Sequence, residues 1–163
     1  MSEMDHPSTD YLSDVRQAVL DAALPHAPFD GWSERMFRAA VQDAGVDSGL
    51  VLLAFPDGVI DLLDVFWSSR DRMLTQEISR RGLHNNHLSQ RISEALKIYI
   101  GLLRPHREAV RRALALQALP LNVPGGLVFL YRTVDTIWRA VGDKSTDFNF
   151  IQSGQHWRRW WCL

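Results

Sequence analysis

Apolar residues recur at helical spacing along almost the whole of this 163-residue chain, and no convincing stretch alternates as a strand would. Between residues 88 and 103, for example, Leu88, Ile92, Leu96 and Tyr99 follow one another every three or four positions. Proline and glycine interrupt the pattern and divide it into segments of ordinary helix length. The periodicity therefore predicts an all-α fold.

The interruptions predict where the helices begin and end. Pro25 and Pro28 are expected to end the first helix, because proline lacks the backbone N–H of a helix interior. Ser33 is a good N-cap, Gly45 suits a helix C-terminus, and Pro105 suits a first helical turn. The predicted helices cover residues 10–24, 33–45, 48–55, 57–82, 88–103, 105–119 and 124–141.

The stretch "HAPFDGW" (residues 26–32) between the first two predicted helices has two interpretations. A proline-glycine turn would let Phe29 and Trp32 pack both helices together. Alternatively, its aromatic residues form a surface patch.

Composition limits the function classes. The chain is long enough for one domain with its own core, and its net charge of −1 lacks the basic excess typical of nucleic-acid binding. Its single cysteine, Cys162, is typical of a reducing compartment. The polar N-terminus "MSEMDHPSTD" resembles no signal or transit peptide, and no apolar run reaches the ~20 residues of a membrane span. We expect a cytoplasmic protein.

Residues 10–56 have the order of a helix-turn-helix. The segment "VDSGLVLLAFPDGVIDLL" resembles the recognition-helix region of TetR-type regulators, which implies a TetR-like helical bundle. A DNA-reading helix needs polar or basic side chains, yet residues 48–55 are mostly apolar. No lysine or arginine lies between Arg38 and Arg70, an interval with five aspartates. We therefore expect no nucleic-acid partner; a TetR-type ligand-responsive transcription regulator is the alternative function.

Four unusual strings occur in order: "HAPFDGW", "FPDGVIDLLDVF", "RRALALQALPLN" and "VDTIWRAVGDKSTDFNF". Together they resemble the ubiquinone (coenzyme Q) biosynthesis accessory family, lipid-binding proteins with a TetR-like fold (the Coq-nine family). The resemblance covers nearly all of residues 11–149, and "GDKSTDFN" is its most specific motif. It implies a non-catalytic bacterial protein, peripheral to the inner membrane, that binds an isoprenoid or other lipid and assists the di-iron demethoxyubiquinone hydroxylase.

The implied lipid pocket would lie among the helices of residues 57–142. Each CH₂ group removed from water contributes about 0.8 kcal/mol, so a lipid carrier needs apolar surface and little polar chemistry. The alternative is that the same residues simply form the core. No cofactor is expected other than a bound lipid or isoprenoid quinone intermediate. The candidate lining residues are Phe66, Trp67, Met73, Leu96, Tyr99, Ile100, Leu103, Leu114, Leu130, Tyr131 and Val134.

The resemblance also places a partner-binding patch on the helix that carries Trp138 and on the turn that follows it. An aromatic side chain beside acidic and amide groups is a common composition for a binding hot spot. Helix capping by Ser145 and Asp147 is the alternative, and exposure of Trp138 would favour the binding role. The matching residues are Ile137, Trp138, Asp143, Asp147 and Asn149.

The last residues, 150–163, have no helical period. The family continues "STDFN" into an apolar helix, and a permitted back-translation from Asn149 onward, read in another frame, gives Tyr-Thr-Lys-Arg-Ala-Thr-Leu-Ala-Ala-Val. We interpret this tail as frameshifted. The alternative is that its tryptophans and arginines bind a membrane interface or stack on nucleic acid.

This interpretation divides the chain into a disordered N-terminus (1–9), one TetR-like helical domain (10–149) and an aberrant tail (150–163). In that domain, residues 10–56 form the helix-turn-helix part and residues 57–142 the ligand-pocket part. The last two family helices would be missing, which weakens membrane association and exposes an apolar face. We expect such a face to favour a homodimer.

Catalytic motifs are not found. His84 and His87 in "HNNH" share a helical spacing, but no carboxylate pair or cysteine lies beside them to complete a zinc site. No phosphate-binding glycine loop or nucleophile elbow is present in the sequence. We expect neither a metal site nor an enzyme.

Overall fold

The computed structural model describes residues 9–82, 87–119 and 123–141, and within them all regular structure is helical. A 3₁₀ turn, Arg104–His106, joins the fifth helix to the sixth. The all-α prediction is confirmed; the more specific likeness to TetR proteins stays a prediction. The α-helices are α1 (Thr9–Asp30), α2 (Glu34–Ala44), α3 (Ser48–Ala54), α4 (Val59–Arg81), α5 (Leu88–Leu103), α6 (Arg107–Gln117) and α7 (Val123–Ala140).

The first helix is longer than the sequence predicts, because it continues through Pro25 and Pro28. A proline removes its own N–H from the helical ladder, but tertiary packing can offset that loss. Here the apolar face runs past the prolines, with Ala23 and Ala27 both fully buried. The helix ends at Gly31, whose N–H donates to the Ala27 carbonyl at 3.1 Å. The prediction that Pro25 and Pro28 end this helix was therefore wrong.

Local capping chemistry sets the ends of the next two helices. The Ser33 hydroxyl accepts a hydrogen bond from the Met36 N–H at 3.2 Å at the start of α2. Gly45 ends that helix with a φ of 62°, in the left-handed region that favours glycine. Asp47 caps α3, and its Oδ1 accepts from the Gly49 N–H at 2.8 Å. The predicted cap at Ser33 and the C-terminus at Gly45 are confirmed.

Four aromatic rings form a continuous row through the larger core, which joins α1, α2, α3, α6 and the first half of α4. The ring centroids of Trp32 and Phe66 are 5.2 Å apart, and those of Phe66 and Trp67 are 4.8 Å apart. Trp67 stacks on Phe129 of α7 with a centroid distance of 4.1 Å. Trp32 Nε1 also donates to the Ala109 carbonyl at 2.9 Å, which ties the α1–α2 turn to α6. We call these four residues the aromatic row.

A second core lies where the far half of α4 meets α5 and the end of α7. It contains Leu74, Ile98 and Ile137 among its buried residues. The Arg91 guanidinium of α5 donates to the Val141 carbonyl, which holds the C-terminal end of α7 against α5. The two cores together fix α7 along the length of α4.

The two aromatic residues of "HAPFDGW" differ in their exposure to solvent. Trp32 is buried, whereas the Phe29 side chain is 81% exposed. The packing role expected of this stretch is therefore carried by Trp32, and Phe29 lies on the surface.

Replacement of Phe66 by alanine is expected to lower the free energy of unfolding by about 3–5 kcal/mol, because it removes a fully buried ring from the centre of the aromatic row. The matched control, Phe29→Ala, removes the same atoms from an exposed site and is expected to change the free energy by less than about 0.5 kcal/mol. Urea unfolding followed by circular dichroism measures both. Equal losses in the two variants would contradict the described packing.

Candidate functional site

The residues predicted to line a lipid pocket divide into two groups in the structure. Phe66, Trp67 and Tyr99 are buried in the two cores, as the alternative interpretation expected for all of them. Leu103 and Tyr131 are half-buried. The other six lie on the surface and do not point into the interior: Met73, Leu96, Ile100, Leu114, Leu130 and Val134. A role for any of these residues in lipid binding stays a prediction.

The exposed apolar residues are most regular on α7. Leu127, Leu130, Val134 and Trp138 are spaced by three, four and four positions, so they share one face of the helix. Their exposed fractions are 61%, 55%, 43% and 41%. We call these four residues the α7 stripe. Soluble proteins seldom leave such a contiguous apolar surface uncovered without a binding role.

A neighbouring face of α7 packs inward and fixes the direction of the stripe. Phe129 contacts Trp67, Thr133 is buried beside α4, and Ile137 belongs to the second core. These contacts, together with the hydrogen bond from Arg91 to the Val141 carbonyl, hold α7 against α4 and α5.

The predicted partner patch is only partly described. Ile137 is buried and serves as core, while Trp138 is substantially exposed, the condition that favours a binding role. Asp143, Asp147 and Asn149 lie outside the described residues, as do Ser145 and the whole tail from 150 to 163.

A buried polar cluster connects α4 to α5 and α7, and the sequence did not predict it. Thr133 Oγ1 donates to Asp71 Oδ1 at 3.2 Å, and Arg132 Nε lies 3.6 Å from Asp71 Oδ2. Burial raises the pKa of the Asp71 carboxyl, while Arg132 and Thr133 act in the opposite direction. Burial also raises the pKa of the nearby Tyr99 hydroxyl to about 12. Asp71 and Thr133 are 62 positions apart, so no local pattern indicates their contact.

Arg70 is a second buried charge on α4. Its guanidinium carbon lies 5.0 Å from the centroid of the Phe66 ring, and its Nη1 donates to Met73 Sδ at 3.2 Å. Burial lowers the pKa of Arg70, and the negative charge of Asp21 partly opposes that shift. The face of an aromatic ring stabilises such a poorly solvated cation.

A small polar cleft lies between α1 and α4, with a volume of about 130 Å³. Arg16 is held there by a 3.1 Å hydrogen bond from its Nε to the Ala54 carbonyl. Asp64 is held by the Arg132 guanidinium at 2.7 Å. The lining residues are Ser13, Arg16, Gln17, Asp64, Val65, Ser68 and Arg72.

The helix that would read DNA presents an apolar surface. Leu52 and Leu53 of α3 are 72% and 58% exposed, and the helix contains no cationic residue. Base edges and phosphates require polar or cationic groups. The surface of α3 therefore gives no support to DNA binding.

Neither a metal site nor a membrane span is found in the described part of the chain. Over 9–82, 87–119 and 123–141, no group of three or more His, Cys, Asp or Glu side chains is placed to hold a metal ion. His84 of the "HNNH" motif lies outside those ranges. None of the described helices is long and apolar enough to cross a bilayer.

Replacement of Asp71 by asparagine is expected to change how stability depends on pH. Because burial raises the pKa of the native carboxyl above its usual 3.8, the native state binds this proton more tightly than the unfolded chain does. The wild-type protein should therefore gain stability relative to Asp71→Asn as the pH falls through the raised pKa, and lose it as the pH rises. Urea unfolding at about pH 4 and about pH 7 measures the difference. A wild-type advantage that grows with rising pH would mean that Arg132 outweighs burial.

Known proteins resemble this chain over most of its length. The COQ9 protein-family model matches residues 123–152, which include all of α7. The mitochondrial ubiquinone biosynthesis protein COQ9 of Homo sapiens is 29% identical over 154 residues, or 91% of this chain and 48% of that protein. The rat protein of the same name is 29% identical over 149 residues, covering 86% of this chain and 48% of its own length.

A more distant animal relative has the same name. COQ9 of Drosophila melanogaster is 27% identical over 143 residues, or 83% of this chain and 43% of that protein. The chain thus spans about half the length of the relatives that it matches. The family match on α7 and the similarity to these relatives along most of the sequence support the resemblance of this chain to the COQ9 family.

Proposed function

We propose that this chain is a non-catalytic accessory protein of ubiquinone biosynthesis that binds an isoprenoid or other lipid on the α7 stripe. The supporting observation is that the helix matched by the COQ9 family model also carries four exposed apolar residues on one face. The relatives with the printed name ubiquinone biosynthesis protein COQ9 indicate the pathway.

An apolar helix surface suits a prenyl chain better than it suits a polar metabolite. Removing CH₂ groups from water contributes about 0.8 kcal/mol each, so one five-carbon isoprene unit contributes on the order of 4 kcal/mol when fully buried. From Leu127 to Trp138 the stripe extends for about 16 Å at the rise of an α-helix. Several isoprene carbons can therefore lie along it.

Other exposed apolar residues lie on the two helices, α4 and α5, that pack against α7. Leu96 and Ile100 lie four positions apart on α5, and Met73 lies on α4, the helix against which α7 packs. In this proposal the lipid lies on the outer surface of the helical bundle, between this chain and a second molecule that covers the α7 stripe. That second molecule could be another copy of the chain, in which case lipid binding and homodimer formation would depend on the same residues.

Trp138 is the residue that we propose for docking the demethoxyubiquinone hydroxylase. Partly exposed tryptophans are frequent hot spots in protein interfaces. Trp138 follows the buried Ile137 on a helix that packs in the second core, so the backbone that carries it is held by the fold itself.

The alternative function, a TetR-type transcription regulator, needs a cationic reading surface. The exposed side chains Leu52 and Leu53 do not supply one. A gel-shift experiment at low salt with genomic DNA fragments tests this alternative, and tight sequence-dependent retardation would favour it over the accessory role.

Lipid binding on the α7 stripe is tested with Leu130→Glu, which places a charge in the centre of the stripe. Burying a leucine contributes about 1.5–3 kcal/mol, so we expect the variant to retain at least about tenfold less lipid than the wild type. Native mass spectrometry and organic extraction of the purified proteins measure the bound lipid.

The matched control for this experiment is Leu52→Glu, which makes the same change at an exposed site on α3. It should leave the lipid content unchanged. Equal lipid content in all three proteins, or a wild type with no lipid, would contradict the proposed site.

Docking through Trp138 is tested by the binding of purified demethoxyubiquinone hydroxylase to the full chain. Loss of a tryptophan hot spot costs about 2 kcal/mol or more, so Trp138→Ala is expected to raise the Kd about thirtyfold. Phe29→Ala, which removes a more exposed ring from α1, is the control and should leave the Kd unchanged. Biolayer interferometry measures both constants. Equal affinities for the two variants would contradict a role for Trp138.

A further inference from the structure

We propose that the cleft between α1 and α4 binds a phosphate-type oxyanion. Its volume of about 130 Å³ equals the space of roughly four water molecules at about 30 Å³ each. That volume suits a single tetrahedral anion and is too small for a prenyl chain. The site uses none of the residues of the α7 stripe, so it is independent of the lipid site proposed above.

Two helical faces of matching spacing form this cleft. Ser13, Arg16 and Gln17 recur at i, i+3 and i+4 on α1. On α4, Ser68 and Arg72 are four positions apart, one turn after Asp64. Because α1 packs against α4, the two polar faces meet and their donors converge on one space.

The donors of the cleft are largely unused by the protein itself. The side chains of Ser13, Ser68 and Arg72 form no hydrogen bond or ion pair with any residue in 9–82, 87–119 or 123–141. Arg16 uses its Nε for the Ala54 carbonyl, which fixes the guanidinium and leaves its terminal nitrogens for a ligand. Gln17 donates from Nε2 to Asp21 at 2.9 Å and contributes less.

The charge of the cleft favours an anion. Its lining contains two guanidinium groups, Arg16 and Arg72, and one carboxylate, Asp64. The Asp64 carboxylate is already paired with Arg132 at 2.7 Å, so its charge is compensated from outside the lining. Two guanidinium groups beside two hydroxyls match the geometry of a phosphate, which accepts charge-assisted hydrogen bonds from several directions.

The test is a titration of the full chain with inorganic phosphate at constant ionic strength, followed by amide chemical shifts in ¹H–¹⁵N NMR spectra. We expect saturable shifts at the residues of the cleft. Arg72→Gln removes an exposed guanidinium with no structural partner among the described residues, so the fold should persist. It should raise the Kd for phosphate about tenfold.

The matched control is Arg38→Gln, which makes the same change in net charge at an exposed position on α2. Screening by salt should keep its effect on the Kd below about twofold. Equal weakening by the two variants would show a diffuse charge effect and overturn the proposal. The absence of saturable shifts, together with no vesicle binding in the next experiment, would overturn it as well.

The same oxyanion chemistry occurs in free phosphate compounds and in lipid headgroups, and flotation with vesicles distinguishes them. Binding to phosphatidate-containing vesicles that depends on Arg72, with none to pure phosphatidylcholine, would identify a lipid headgroup as the ligand. Saturable binding of soluble phosphate that depends on Arg72, without vesicle binding, would identify a soluble ligand. Lipid retention in the Leu130→Glu experiment does not depend on either outcome, so the two proposals can fail separately.

Discussion

The contact between Trp67 and Phe129 is the interaction on which the arrangement of the site depends. It stacks α7 on α4 at a centroid distance of 4.1 Å and continues the aromatic row that begins at Trp32. Because Phe129 points inward, the helical period turns Leu130, Val134 and Trp138 toward solvent. The rings of the aromatic row thus build the core and, by anchoring one helix, also determine which of its residues remain outside.

The fourth helix organises the polar chemistry as well as the core. Arg132 of α7 contacts Asp64 at 2.7 Å and lies 3.6 Å from Asp71, one carboxylate exposed at the cleft and the other buried among α4, α5 and α7. Buried charges persist only where partners or rings compensate for lost solvation, and Arg70 over the Phe66 ring meets that condition. A single guanidinium on α7 therefore links the cleft to the buried polar cluster.

Apolar and anionic ligands would occupy different surfaces of this molecule. The α7 stripe is an apolar surface whose only side-chain hydrogen-bond donor is the indole N–H of Trp138. Such a surface suits a hydrocarbon chain. The cleft offers donors in a volume of about 130 Å³, which suits a small anion.

Residue patterning predicts the helical class and those helix ends that depend on local chemistry, such as the caps at Ser33 and Gly45. This patterning failed at Pro25 and Pro28, because packing of α1 against neighbouring helices, a tertiary effect, compensates for the lost backbone hydrogen bonds. Helical periodicity also could not separate the buried Tyr99 from the adjacent, exposed Ile100. The apolar face of α5 is wider than the area that packs against other helices, so some of its apolar residues remain exposed to solvent. Which apolar residues stay exposed, and which distant polar residues meet, follows from the packing of α7 on α4. No spacing within one helix contains that information.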